Sequence, residues 1–411
     1  MKRTKLGRGF KLLVLIVCMT SFGAWFLQPY AGPLYTIIFS ALAVVISVAD
    51  KKCFNFSNQN TNWFLLLFVA TLLTCTGMNF TGYMVALVGL IPTFFIFKLE
   101  SEYKEDLFHF LRKSLGIMIL ISLPIYFLFL AGVNLPHFEI VRESSDASID
   151  FHYTVYYLFT IKNDGDLLSI LLPRYEFVFY EPGYFGCLMA VLLYLGRFKF
   201  DKLHWENIIF LISLILSMSV AGILIALFGF VVYSIRKSEH RARWIVSSVI
   251  FLGGFYLAVV NYNGGDNLIN NALFSRFEYD DATGKIAGNS RFSEDVSDYF
   301  WTKFIHSDEL MFGMKNPDRV LTNNNVDYLS FIIRHGLVAL CMLMLFLYYP
   351  AIKNKKARYN LLCFAALYTL IFAQGSFSVF WAMNMYIFVL GVNYLSLAEE
   401  KIVFKESLKI R

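Results

Sequence analysis

Residues 328–349 read YLSFIIRHGLVALCMLMLFLYY. A helix needs about 20 mostly apolar residues to cross the ~30 Å hydrocarbon core of a bilayer, and this run supplies them with one formal charge, Arg334. Backbone groups in lipid must find their hydrogen bonds within their own segment, so such a run is read as a helix. Comparable runs lie near 10–28, 33–49, 62–78, 82–98, 114–132, 177–196, 206–218, 220–235, 244–260, 360–377 and 379–396, about twelve in all. Charged residues make up only 16% of the 411-residue chain and hydrophobic ones 57%. A soluble domain carries about 25% charge, so the deficit excludes one. A transmembrane β-barrel would show alternating segments of about ten residues, which are absent. The expected fold is an all-α polytopic membrane protein of about 12 transmembrane helices, forming a single transmembrane domain over 1–411.

The first residues, Met1-Lys-Arg-Thr-Lys-Leu-Gly-Arg8, resemble the start of a signal peptide, but Ala24 has Phe22 two positions before it. Without a small-x-small cleavage site, an uncleaved first helix is expected. With the N-terminus inside, the inner segments 1–11, 51–52, 98–113, 197–202, 236–243, 353–358 and 401–411 hold 26 of the 36 lysines and arginines. That bias places both termini in the cytoplasm. The apolar stretch 206–235 reads either as one kinked span or as two broken near Ser217, Ser219 and Gly222. Two spans keep both flanking basic loops on the inner side, and charge favours them.

Two long outer, periplasmic loops follow, about 133–176 and about 261–327, and they hold most of the acids, Glu176 among them. Asn163-Asp164-Gly165 is a hairpin turn signal within 151–172. Glu294, Asp295 and Asp298 follow Arg291 at helical spacing and predict a solvated surface helix. None of the six cysteines (18, 53, 75, 187, 341 and 363) lies in a long outer loop, so no disulfide is expected there.

Three constellations carry candidate chemistry. Arg174 and Glu181, in Arg174-Tyr-Glu-Phe-Val-Phe-Tyr-Glu181-Pro-Gly-Tyr-Phe-Gly186, stand where the first long loop enters a helix. A carboxylate or guanidinium at headgroup level is costly unless it faces a cavity or a partner. Arg174 suits a phosphate, and Glu181 suits orienting that phosphate or a sugar hydroxyl; a helix-end anchor pair is the plainer alternative. Arg291 lies in the second loop, between Gly288 and Met311-Phe312-Gly313. The third is Asn323-Asn324-Asn325-Val-Asp327-Tyr328-Leu329, running on to Arg334-His335-Gly336-Leu337. Asn324, Asn325 and Asp327 mark a helix start, where exposed N–H groups favour anions, although helix capping explains the same residues. No GxGxxG, Walker loop, HExxH or inner DxD occurs, so no nucleotide, metal or other cofactor is expected. The net charge of +6 lies in scattered inner loops, which opposes a nucleic-acid partner.

Glu181-Pro-Gly-Tyr-Phe-Gly186, Ser217-Met-Ser219-Val-Ala-Gly222, the stretch from Gly288 to Gly313, and Asn325-Val-Asp-Tyr-Leu329 with Gly336-Leu337 come in an order and spacing that resembles the O-antigen polymerase (Wzy) family, within the wider O-antigen ligase and polymerase group. Val220 departs from the arginine many relatives have there; separately, Asn325 stands where ligases have a histidine, and that absence puts the polymerase reading ahead of the ligase one. The resemblance implies a glycosyltransferase of the bacterial inner membrane. Its substrate would be an undecaprenyl-diphosphate-linked oligosaccharide, in contact with membrane lipid and with a chain-length regulator protein as partner. Charge developing on the diphosphate calls for cations: Arg291 and Arg334 as catalytic groups, Arg174 as a binding group. Glu181, Asp327 and His335 are the candidate bases, and Asn324, Asn325 and Tyr328 join Arg174 in substrate binding. A flippase for the same lipid-linked unit, a ligase, and a transporter of small solutes are the rival readings.

Overall fold

The computed structural model describes residues 5–30, 32–56, 60–75, 80–143, 150–163, 173–237, 241–265, 267, 279–280, 285–286, 294–321 and 327–409. Each of the twelve apolar runs becomes a helix: α1 (Arg8–Ser21), α2 (Pro33–Ala49), α3 (Thr61–Thr74), α4 (Phe80–Lys98), α5 (Ser101–Leu130), α6 (Pro182–Leu195), α7 (Trp205–Leu216), α8 (Val220–Lys237), α9 (Arg241–Asn261), then, after α10 (Glu294–Thr302), α11 (Tyr328–Lys353), α12 (Arg358–Gln374) and α13 (Ala382–Lys409). Three of them, α4, α5 and α11, are long and apolar enough to cross a membrane by length and composition, and α2, α3, α6 and most of α8 are shorter apolar helices. Helix α10 is the one expected after Arg291; Asp295 and Asp298 are exposed and Val296 and Phe300 buried, the two faces of an amphipathic turn. The segment 98–113, expected as an inner loop, is largely helical. Helix α5 begins at Ser101, with Glu102 in its first turn, where a negative charge complements the helix dipole.

The chain divides into two compact units. The first comprises Met1–Met118, Asp295–Thr322 and Val326–Arg411. Aromatic packing joins α3, α4, α11 and α13 there: Trp63 stacks on Phe346 at 5.7 Å and donates its indole N–H to the Phe346 carbonyl at 3.0 Å. Phe97 and Phe388 meet the same indole edge-on. Lys11 of α1 pairs with Asp106 of α5 at 2.6 Å, and Asp106 also accepts from the Leu6 amide, which pins the N-terminal segment.

The second unit comprises Ile119–Glu294 with Asn323–Asn325. Helix α6 lies at its centre and buries every residue but Tyr184, so it is apolar all round, as a core helix should be. Helices α7 and α8 pack on it, separated by a break at Ser217-Met218-Ser219, where Met218 takes φ 47°. The break falls at the expected serines. A three-stranded antiparallel sheet, β1 (Phe138–Glu143), β2 (Asp150–Val155) and β3 (Thr160–Lys162), fills part of the first long loop. Its β2–β3 turn lies at Tyr156–Phe159; Asp164 and Gly165 of the expected hairpin turn lie outside the described residues. Asn163 extends the ladder: its amide donates to the His152 carbonyl at 2.9 Å and its side chain bonds Thr154. Tyr156 and Phe159 stack at 4.8 Å, and Phe159 packs on Tyr126 and Phe129 of α5, so aromatic burial holds this turn.

Candidate functional site

The first two turns of α11 concentrate polar groups at the mouth of an apolar helix. Asp327 caps it: Oδ1 accepts the Ser330 amide at 2.7 Å, and the residue is 2% exposed. Its other oxygen, Oδ2, is buried with no hydrogen-bond partner, and so is the Ser330 hydroxyl. Ser330 and Arg334 stand three and seven residues beyond Asp327, so the three fall on one helical face. Arg334 is partly buried and its Nη1 reaches Asp318 at 3.5 Å, whose own side chain is 84% exposed. An ion pair that long with so solvated a partner contributes about 0–1 kcal/mol. His335 lies on another face, buried, with its ring 5.0 Å from Phe331, which in turn packs on Phe372 and Phe380. Tyr328, one residue past the cap, is half-buried.

This polar end is held by backbone. Helix α11 is interrupted at Gly336 (φ 80°, ψ 172°), and the segment Met311–Met314 closes the gap. The Met314 amide donates to the Ile333 carbonyl at 2.7 Å, and the Val338 amide donates to the Met311 carbonyl at 3.1 Å. A Cβ on Gly313 would stand 2.6 Å from the Arg334 carbonyl carbon, and one on Gly336 would stand 2.6 Å from the Gly313 nitrogen. Two stretches picked out separately in the sequence, Met311-Phe312-Gly313 and Arg334-His335-Gly336, are thus pressed backbone to backbone.

In the second unit Glu181 is the N-cap residue of α6, with Pro182 at the first helical position, and is half-buried. Arg174 turns its Nε to the Ser217 carbonyl at 3.1 Å, at the C-terminal end of α7, where a cation complements the helix dipole. Next to it, the Tyr175 amide donates to the Leu216 carbonyl, and its phenol donates to Ser122 at 2.8 Å; burial pushes that phenol above the ordinary tyrosine range. Gly186 and Gly222 let α6 and α8 touch: a Cβ on Gly222 would meet the Gly186 carbonyl carbon at 2.5 Å. The Ser219 hydroxyl donates to the Gly183 carbonyl at 3.3 Å. The Glu181–Gly186 and Ser217–Gly222 stretches therefore form one packed junction. Arg291, Asn324 and Asn325 lie outside the described residues.

Comparison with protein-family models, curated proteins and solved structures finds no match to this chain.

Of the candidate residues, then, Asp327, Tyr328, Arg334 and His335 share one helix end, and Arg174 and Glu181 share one helix junction. Two polar residues of these regions carry signals that composition by loop conceals. Ser330 is marked by its spacing from Asp327. Glu176 belongs to the acids of the first loop by sequence, yet it is 1% exposed. Its signal is the aromatic run around it, Tyr175 to Tyr180, since a carboxylate inside such a run must be buried with it. Among the described residues no group of His, Cys, Asp and Glu side chains could hold a metal ion.

Proposed function

We propose that this chain polymerises undecaprenyl-diphosphate-linked oligosaccharide repeat units into O-antigen or a related surface polysaccharide at the outer face of the bacterial cytoplasmic membrane. The observation that carries the reading is the polar end of α11: a carboxylate with one oxygen committed to a cap and one unpaired, and on the same face a guanidinium paired at long range with a solvated aspartate. In the proposed reaction the acceptor hydroxyl attacks the anomeric carbon of the donor sugar. The bond from that carbon to the diphosphate oxygen breaks, and undecaprenyl diphosphate departs with the electron pair. The hydroxyl proton passes to Asp327 Oδ2, and Arg334 stabilises the charge that grows on the leaving diphosphate. Guanidinium suits the task because its fork binds phosphate oxygens in pairs and stays charged. The donor arrives activated, which accords with a sequence lacking nucleotide-binding motifs.

The same reading takes the protein as a multi-pass inner-membrane protein of twelve spans. Both termini are cytoplasmic, and the segments 133–176 and 261–327 lie outside. The distribution of lysine and arginine supports that orientation. From the sequence alone, Arg174 and Arg291 are further candidate phosphate-binding cations.

The surface-glycan ladder of a deletion strain tests it. Loss of a polymerase leaves single repeat units on the surface; loss of a flippase leaves none exported; loss of a ligase leaves long chains on the carrier. Complementation with Arg334→Ala, Arg291→Ala or Arg174→Ala should fail to restore long ladders, and Arg334→Lys should restore them only in part. If all three alanine variants give ladders of normal length, the arginine assignment is wrong.

A further inference from the structure

The turn Leu310–Met314 combines three properties that belong together only at a lipid surface. It is apolar, Leu-Met-Phe-Gly-Met, between Asp308-Glu309 and Lys315. Its tip is exposed: Met311 by 50% and Phe312 by 66%. And it is rigidly built, with the Gly313 amide donating to the Glu309 carbonyl at 2.7 Å, Gly313 at φ 85°, and the backbone bonds to Ile333 and Val338 described above. A rigid turn that displays two large apolar side chains is not a solvated loop tip, which would carry small or polar residues.

The level at which it is fixed follows from α11. Lys353 closes the apolar stretch, and Lys355, Lys356 and Arg358 follow. The part of α11 beyond the break, Leu337 to Lys353, is 17 residues, about 26 Å at 1.5 Å per residue, close to the ~30 Å of the hydrocarbon. The backbone bonds from Met311 and Met314 engage α11 between Ile333 and Val338. The turn is therefore fastened where the helix leaves the hydrocarbon at its other face, with its apolar tip exposed.

We infer that Met311 and Phe312 are a membrane-dipping tip, inserted among the acyl chains at the lipid interface, with the exposed Lys315 at the height of the headgroup phosphates. The segment between α9 and α11 is then not aqueous throughout: it is pinned to the bilayer at this turn, and the pin is welded to the helix end that carries Asp327 and Arg334. The inference rests on α11 crossing the membrane and not on the polymerase reading.

The photoreactive analogue p-benzoylphenylalanine, placed in the full chain at position 312, at position 345 or at position 308, tests this in native membranes containing an acyl-labelled phospholipid. Leu345 is exposed on the apolar part of α11, and Asp308 is exposed on the charged side of the turn. Photolysis should join labelled lipid at 312 as it does at 345, and none at 308. A lipid adduct at 345 without one at 312, or an adduct at 312 to a second copy of the chain or to another protein, overturns the inference. No lipid adduct at 345 overturns the span on which it rests; the ladder of the deletion strain is independent of all three outcomes.

Discussion

Asp327 serves two roles that a single substitution separates. Its Oδ1 caps α11 through the Ser330 amide, and its buried Oδ2 is the proposed proton acceptor. Asparagine caps a helix about as well as aspartate, whereas alanine loses about 1 kcal/mol. Asp327→Asn should therefore melt with the parent protein in detergent, and Asp327→Ala should melt lower; neither should restore polymer in the deletion strain. A full ladder from Asp327→Asn would reduce Asp327 to a cap and remove it from the chemistry. The asparagine and aspartate run before Tyr328 made this cap legible in the sequence, because a short polar side chain before an apolar helix has one common use. Arg334 was legible for the opposite reason, as a charge where none belongs. Its partner Asp318 was not: sixteen residues earlier, in a loop, nothing in its own neighbourhood marks it. His335, next to Arg334 in sequence, is turned by helical geometry onto Phe331, and adjacency concealed that divergence.

At the level of elements, glycines decide where segments touch. Gly313 has φ 85°, which an L side chain adopts only at a cost of about 1–2 kcal/mol. A Cβ there would also press on the Arg334 carbonyl carbon at 2.6 Å and the His335 nitrogen at 2.7 Å, both backbone atoms that no rotamer change can move. Gly313→Ala should thus lower the melting temperature and displace the polar end of α11, abolishing polymer formation even if the protein still inserts. Gly253→Ala is the matched control: it lies in α9 with nothing within 4 Å of the added carbon, and should be neutral or raise stability by up to about 1 kcal/mol. Equal melting of Gly313→Ala and the parent would show that the turn yields and that the contact does not fix the helix end. Helices α6 to α8 were legible to within a few residues, because the serines at 217 and 219 interrupt an apolar pattern. The sheet was not. Its β2–β3 hairpin forms at Tyr156–Phe159, where Tyr157 takes φ 63° without glycine and the flanking rings of Tyr156 and Phe159 stack, so no turn residue marks it.

Across the whole molecule, hydrophobic periodicity locates helices more surely than it locates spans. Helix α7 has 12 residues, so at 1.5 Å per residue it is about 18 Å long, well short of the ~30 Å hydrocarbon core. Helix α8, with 18 residues, comes close at about 27 Å. Length alone would join them across the Ser217–Ser219 break into one bent crossing. Charge argues otherwise: Arg197, Lys199 and Lys202 precede α7, and Arg236, Lys237, Arg241 and Arg243 follow α8, and one crossing would put one of these basic clusters outside. Two crossings that meet at the break keep both clusters inside, and Arg174 on the Ser217 carbonyl supplies a polar partner for the turn between them. Alkaline phosphatase fused within 197–202 and within 236–243 should accordingly be inactive at both sites, while fusions within 133–143 and 294–321 should be active. Activity at 236–243 with none at 197–202 would make α7 and α8 a single crossing, invert the orientation of α9, and place the segment 261–327 and the Arg334 end of α11 on the cytoplasmic face, where no proposal of outer-face polymerisation survives.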